Sequence, residues 1–351
     1  MYNEEVKNAF ILDYAGGILS TEKMANTLFN ATEDFEKEWG ADLATVDEET
    51  IKPMMDEVLG LRLRSHWGYR TILREYAKWC LLHKDVVPGA TKSALNVECD
   101  GVSKIRRQMV SGPVHLQNVL DMMFEPEDDK KIDNLYRCYF WMAFSGLNEE
   151  EALNLDMSCI NLNKMQIEYD IMIVGADGEE EYMRKTAPIY AQARKAFENA
   201  VNLTSFVYEN PAYTPSKRVS YRDRVGGTKL MRGIRADTRF DTIRSAISRI
   251  TKKKSKEAMQ KALLNGDNFH EFQISYKRIQ MSGIFYRAYE MERAGMDISF
   301  DDAIDLYHEK RYHNVVKRKY ENGKRVSKGK RFRNLDYYFR EDYERWKHAF
   351  D

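Results

Sequence analysis

Arginine and lysine, rather than a nucleophile–base pair or a metal-ligand cluster, are the residues here whose types and spacing promise chemistry. The formal charge of the chain is zero, but it is unevenly spread: residues 1–60 hold 14 Asp/Glu against 4 Lys/Arg, residues 214–256 hold 14 Lys/Arg against 3 Asp, and residues 308–333 hold 11 Lys/Arg against 2 Glu. Separated basic blocks are the electrostatic footprint of a polyanion, and the guanidinium fork matches the oxygens of phosphate. A solvated charged face is the bland reading of either block alone; two blocks with tyrosines among them favour a phosphate-bearing partner. The candidate contacts are Lys217, Arg218, Arg222, Arg224, Lys229, Arg232, Arg235, Arg239, Arg244, Arg249, Lys252 and Lys253 in the first block, Lys317, Arg318 and Lys319 in the second, and Arg278 between them. Arg278 has a second reading, as a salt-bridged helix arginine. Phosphate contacts position a protein on a duplex without reading sequence. Reading requires side chains in a groove, and Arg239 and Arg244 are the candidates for guanine.

Other chemistries are poorly supplied. The four cysteines (Cys80, Cys99, Cys138, Cys159) show no CxxC spacing, and the seven histidines form no HxxxH pair. That suits a reducing compartment and argues against a zinc site or a disulfide framework. No glycine-rich phosphate loop is present, so no cofactor is expected. The opening "MYNEEVKNAF" carries acid where a secretory signal needs base. No apolar run approaches the roughly 18–20 residues of a membrane span. The expectation is a protein of the cytoplasm and nucleoid, with no membrane partner.

The elements that must position these cations read as mostly helical. "STEKMANTLFNATEDFEKEW", "DEETIKPMMDEVL" and "SHWGYRTILREYAKWCLLH" have helical periodicity, the first with a cap at Ser20, the last with Tyr69, Leu73, Tyr76 and Trp79–Cys80 on a core face. Pro, Gly and polar residues from Lys84 to Gly101 mark a boundary. Residues 1–95 are read as a helical domain, 96–108 as a linker and 109–351 as a second domain. In the latter, Pro113 opens a helix, "NLYRCYFWMAF" is a buried helix by composition, and "MQIEYDIMIVGADGEEEYMRKTAPI" alternates about a Gly-Ala-Asp-Gly turn as a β-hairpin. The basic region 214–256 reads as part loop and part helix, and "NLDYYFREDYERWKHAF" as a final amphipathic helix. The fold class is mainly α with a small β-hairpin or sheet, in two domains.

One stretch, "FSGLNEEEALNL" from Phe144 to Leu155, joins an apolar helix end to a new helix through a Ser-Gly-Leu turn. Asn148 with Glu151 three residues on has the spacing of a capping box.

This order of elements resembles the tyrosine recombinases, or phage integrases: a small helical domain, a linker, then a helical domain broken by a β-hairpin. "SGLNEEEALNL" resembles the first box of that family, Thr-Gly-Leu-Arg-x-x-Glu with spaced leucines, but Asn148 stands at the arginine. "SYKRIQMSGIFYRAYEMERAG" resembles the second box, His-x-Leu-Arg and an apolar helix; Arg278 matches its arginine and Ser275 replaces the histidine. The hairpin turn "GADGEEEY" lacks the lysine the family carries there. Tyr320 is the counterpart of the nucleophile, or simply a packed residue of a basic, aromatic helix. It follows His308 by twelve residues and His313 by seven, either of which stands for the preceding histidine.

Cleavage by tyrosine needs two arginines on the non-bridging phosphate oxygens, a lysine to protonate the leaving oxygen, and a His or Lys for further protons. Three of these groups are missing, so the resemblance implies a frame whose chemistry is lost: Asn148, Ser275, Arg278 and Tyr320 are vestigial positions and the chain is not expected to be an enzyme. Binding of double-stranded DNA remains, with self-association on DNA and release by a small protein or peptide as further expectations. In length and domain order the chain is similar to the master repressors of lytic genes in temperate phages of the SPbeta group. The competing reading is a divergent recombinase that attacks with Tyr320 and draws its lysine from Lys185 or Lys229.

Overall fold

The computed structural model describes residues 1–58, 63–96, 101–124, 133–174, 180–209, 219–224, 226–231, 240–265, 274–296, 315–321, 324–331 and 335–351. It is mainly helical with small antiparallel sheets, and it divides into two compact units. The first comprises Met1–Arg106 together with Asn334–Asp351, the second Arg107–Arg333. The final helix therefore groups with the N-terminal unit, whereas the sequence reading ran the second domain to residue 351.

The first unit contains α1 (Glu4–Ala15), α2 (Leu19–Trp39), α3 (Glu48–Val58), α4 (Leu63–Leu82) and the short α5 (Ser93–Asn96). Phe10, Leu28, Phe29, Ile51, Leu73 and Tyr76 build its core, and Tyr69 and Trp79 of the expected α4 stripe pack against that core partly buried. The expected cap at Ser20 is displaced: α2 begins at Leu19, with Ile18 in the cap position and no side-chain cap bond. Inside the core Lys7 donates to Glu36, whose carboxylate also accepts from the Thr32 hydroxyl and the Leu43 amide. A fully buried charge is tolerable only when satisfied in this way.

The second unit begins in α6 (Val102–Gln108) and continues through α7 (Pro113–Met123), α8 (Asp133–Phe144) and α9 (Glu149–Asn154). A three-stranded antiparallel sheet follows, in the order β1 (Ile160–Asn161), β2 (Gln166–Val174), β3 (Glu180–Pro188). The β2–β3 pairing runs from Gln166↔Pro188 to Val174↔Glu180, which is the expected hairpin; residues 175–179 lie outside the described residues. Next come α10 (Arg194–Asn202), the paired β4 (Ser205–Glu209) and β5 (Val219–Asp223), α11 (Phe240–Asn265) and α12 (Tyr276–Arg293).

Helix α8 is buried along its whole length, as its composition suggests, and α10 and α12 pack on it. The α8–α12 crossing is close because of one residue. A Cβ on Gly283 would lie 1.8 Å from the backbone oxygen of Phe144, so only glycine fits there. Ser282 beside it accepts from the Val110 amide at 3.0 Å and donates to the Arg278 carbonyl at 2.9 Å.

The described residues of the second basic block form a strand pair, β6 (Val315–Glu321) and β7 (Lys324–Arg331), with Tyr320 opposite Arg325. The helix suggested for Tyr320 is thereby corrected to a strand. Val315-Val316 and Tyr320 have β propensity, and Asn322-Gly323 between the strands in sequence is the strongest short hairpin signal. The last helix is α13 (Leu335–Phe350), which packs on α4 and buries Phe339, Tyr343, Trp346 and Ala349. Arg106 Nε donates to the Ala349 carbonyl at 2.5 Å, satisfying one of the free carbonyls of that helix end.

Candidate nucleic-acid interface

The site is built on the turn between α8 and α9. Leu147 N–H reaches back to the Met142 carbonyl at 3.2 Å and Gly146 N–H to Ala143 at 2.8 Å, with Gly146 at φ 99°. That is the Schellman stop, and it needs the residue with no Cβ penalty. The next helix opens at once: the Glu151 amide donates to Asn148 Oδ1 at 2.8 Å and the Asn148 amide to Glu151 Oε2 at 2.7 Å. Asn148 therefore forms the capping box its spacing implies.

Helix α12 clamps this turn. The Tyr276 hydroxyl donates to the Leu147 carbonyl at 2.9 Å and the Asn148 carbonyl at 3.2 Å, and Gln280 Nε2 donates to Gly146 and Leu147 at 3.1 and 3.0 Å. The two stretches that carry the family resemblance thus meet in space. Burial raises the Tyr276 hydroxyl well above its ordinary pKa, so it stays a neutral donor.

Beside the turn lies a pocket of about 470 Å³, lined from α8, α9, α11 and the start of α12. Helix α11 contributes Arg244, Ser248, Thr251, Lys252 and Ser255, which recur at helical spacing and so share a face. The start of α12 contributes Ser275, Lys277 and Arg278. Among the described residues, four cations (Arg244, Lys252, Lys277, Arg278) and one carboxylate, Glu149, line the space. Glu149 accepts from Arg244 Nε at 2.7 Å and from its terminal nitrogen at 2.5 Å, and the Tyr139 hydroxyl donates to the same carboxylate. Burial lowers the Arg278 guanidinium pKa, yet arginine remains charged at any working pH. Thr251 is 8% exposed and its hydroxyl has no hydrogen-bond partner among the described residues.

The candidates fall into distinct places. Arg244, Lys252 and Arg278 come together at the pocket, with Ser275 at the cap position of α12. Arg249 and Lys253 lie exposed on α11, and Lys253 pairs with Glu257 at 3.7 Å. Arg224 is corrected: it is only 7% exposed, and its guanidinium donates to the carbonyls of Ala200 at 2.7 Å, Leu203 at 2.9 Å and Leu230. Three bonds to backbone carbonyls hold this buried guanidinium inside the unit, the arrangement of a structural tie. Lys229 donates to the Asn154 carbonyl at 2.5 Å and to Asp156 at 3.2 Å, and neither it nor Lys185 lines the pocket. Arg222 lies on β5, and Lys317, Arg318, Lys319 and Tyr320 on β6. Lys217, Arg218, Arg232, Arg235, Arg239, His308 and His313 lie outside the described residues.

Sequence reasoning missed Glu149, Thr251 and Lys277. The signal for Thr251 was available: counting from Arg244, positions 248, 251 and 255 fall on the same face of "FDTIRSAISRITKKKS". Among the described residues no group of His, Cys, Asp and Glu could hold a metal ion, and no helix is long and apolar enough to cross a membrane.

Among solved structures the chain is similar to the XerA recombinase, with 10% identity, TM-score 0.34, and coverage of 87% of this chain and 93% of that one. It is likewise similar to the integrase of transposon Tn1549 in complex with circular intermediate DNA, with 11% identity, TM-score 0.32, and coverage of 86% and 94%. No curated protein matches the chain. Residues 1–82, the helices α1 to α4, match the family described as the MrpR N-terminal core-binding domain.

Proposed function

We propose that the chain is a site-specific binder of double-stranded DNA that does not cut it, a recombinase-like frame used as a transcriptional repressor of phage lytic genes. The observation that carries this reading is the pocket at the meeting of the two family-like stretches. Cations that can hold a phosphate line it, whereas among the described residues no histidine and no lysine of the β2–β3 hairpin does. Arg278, Arg244, Lys252 and Lys277 converge there, while the first arginine position is filled by Asn148, whose side chain is spent on a helix cap. No lysine of the β2–β3 hairpin reaches the pocket among the described residues. A preorganised donor is worth roughly 10²–10³ in rate, so changing the family-like arginine and histidine positions to Asn148 and Ser275 should cost turnover far more than binding. The match of residues 1–82 to a domain described as core-binding supports the same reading.

In this mechanism the cations of the pocket and of the exposed α11 face neutralise backbone phosphates, giving salt-dependent affinity through counterion release. The Ser145–Asn148 turn is retained for its structural role, because it starts α9 and carries the carbonyls that hold α12 in place. The test is selection of sheared source-genome DNA on the full chain. A small set of enriched fragments sharing a motif, recovered intact after denaturation, is the expected result; uniform recovery of all fragments would remove site specificity.

A further inference from the structure

We propose that Glu149 is a built-in competitor for the phosphate site: its carboxylate occupies the Arg244 guanidinium, and a phosphodiester oxygen entering the pocket must displace it. This rests on the DNA-binding reading above and adds a regulatory residue to it.

Arg244 meets Glu149 through two nitrogens, at 2.7 and 2.5 Å. This is the two-pronged arrangement by which arginine takes either a carboxylate or a phosphate, so the two anions compete for the same face of the fork. The pair lies at the rim, with the Arg244 side chain 55% exposed and that of Glu149 24% exposed. An ion pair in that setting is a weak lock that a more highly charged partner can open. Tyr139 donates to the carboxylate as well, which keeps Glu149 aimed at the pocket.

The surroundings favour exchange. Among the described residues that line the pocket, Lys252, Lys277 and Arg278 are further cations and Glu149 is the single carboxylate. The buried hydroxyl of Thr251, without a partner among the described residues, sits on the same wall. Buried hydroxyls are normally satisfied, and a lone donor among cations is placed to serve an incoming oxyanion. The α12 N-terminus adds its positive dipole end at Ser275. In the closed state Arg244 holds Glu149; in the open state Arg244, Arg278 and Thr251 hold phosphate oxygens and Glu149 turns to solvent. Affinity for DNA is then reduced by the fraction of molecules in the closed state.

The experiment uses the full chain and measures affinity for a selected duplex by fluorescence anisotropy at moderate salt, with melting of each variant as a fold control. Glu149→Gln keeps an acceptor for Tyr139 and loses the charge; it should bind DNA about fivefold tighter or more, the size expected when a closed state is depopulated. The gain should vanish in a Glu149→Gln/Arg244→Gln double variant and shrink with Thr251→Val. If Glu149→Gln melts below the parent, Glu149→Ala provides the same comparison. Unchanged or weaker binding by a folded Glu149 variant, when the parent binds DNA, overturns the inference. Should the parent bind no DNA, inorganic phosphate separates the two claims. Greater thermal stabilisation of Glu149→Gln than of the parent would uphold the oxyanion pocket while the DNA reading falls, and no stabilisation of either would overturn both.

Discussion

The hydroxyl of Tyr276 lies 2.9 Å from the carbonyl oxygen of Leu147, across 129 residues of chain, and this bond joins the start of α12 to the turn that opens α9. It fixes the pocket, because Arg278 is two residues beyond one partner and Glu149 two residues beyond the other. Tyr276→Phe removes the donor from two carbonyls while keeping the ring. A loss of about 1–2 kcal/mol in denaturant unfolding is expected, together with weaker DNA binding. An unchanged midpoint would mean that Gln280 alone holds the turn.

The capping box supplies a second prediction. Asn148→Ala should cost about 0.5–2 kcal/mol, the usual range for a lost cap. A variant that unfolds at the same denaturant concentration as its parent would leave Asn148 without a structural explanation.

The partner in that box gives a pH dependence. Burial pushes the Glu151 carboxyl up to about 7 from an ordinary 4.5, only partly offset by the bond from the Asn148 amide. With the folded value above the unfolded one, the folded state binds the extra proton between them. The contribution to stability is therefore full below about pH 4.5 and lost as pH rises through about 7, by an amount on the order of 3 kcal/mol. Glu151→Gln, which keeps the acceptor, should flatten that part of the profile and be the more stable form at pH 8. Parallel pH profiles for parent and variant would contradict the assignment.

Gly283 supports the site at one remove. Alanine there would place its Cβ 1.8 Å from the Phe144 oxygen, a backbone atom that cannot step aside. The α8–α12 crossing must then spread, at a cost of about 3 kcal/mol or more. Thermal unfolding measures it, and a neutral Gly283→Ala would show that the two helices pack less closely than described.

How much of this was legible in advance differs from residue to residue. Asn148 and Glu151 were readable because a capping box is local, confined to four consecutive residues. The β2–β3 hairpin was readable from alternation. Arg224 was not: sequence records its charge, but only the tertiary arrangement sets the Ala200, Leu203 and Leu230 carbonyls around it. The strand pair at β6 and β7 went unrecognised because the density of lysine and arginine masked the Asn-Gly signal between the strands. The place of α13 in the first unit depends on contacts with α4, more than 250 residues away in sequence, which no local pattern encodes.

The exposed α11 face gives the prediction closest to binding. Reversing Arg244 and Arg249 together to glutamate should weaken DNA affinity at least tenfold and lower the slope of log affinity against log salt by about one per lost phosphate contact. Equal affinity at low salt would take this helix out of the interface.

The central claim is binding without cleavage, and the most direct measurement is a search for a covalent protein–DNA adduct. The full chain is incubated with its selected duplex, and the products are resolved on native and denaturing gels beside Tyr320→Phe. A shifted complex on the native gel is expected for both proteins, with intact DNA free of protein under denaturing conditions. A band of DNA still attached to protein after denaturation, lost in Tyr320→Phe, would contradict it and establish Tyr320 as a working nucleophile.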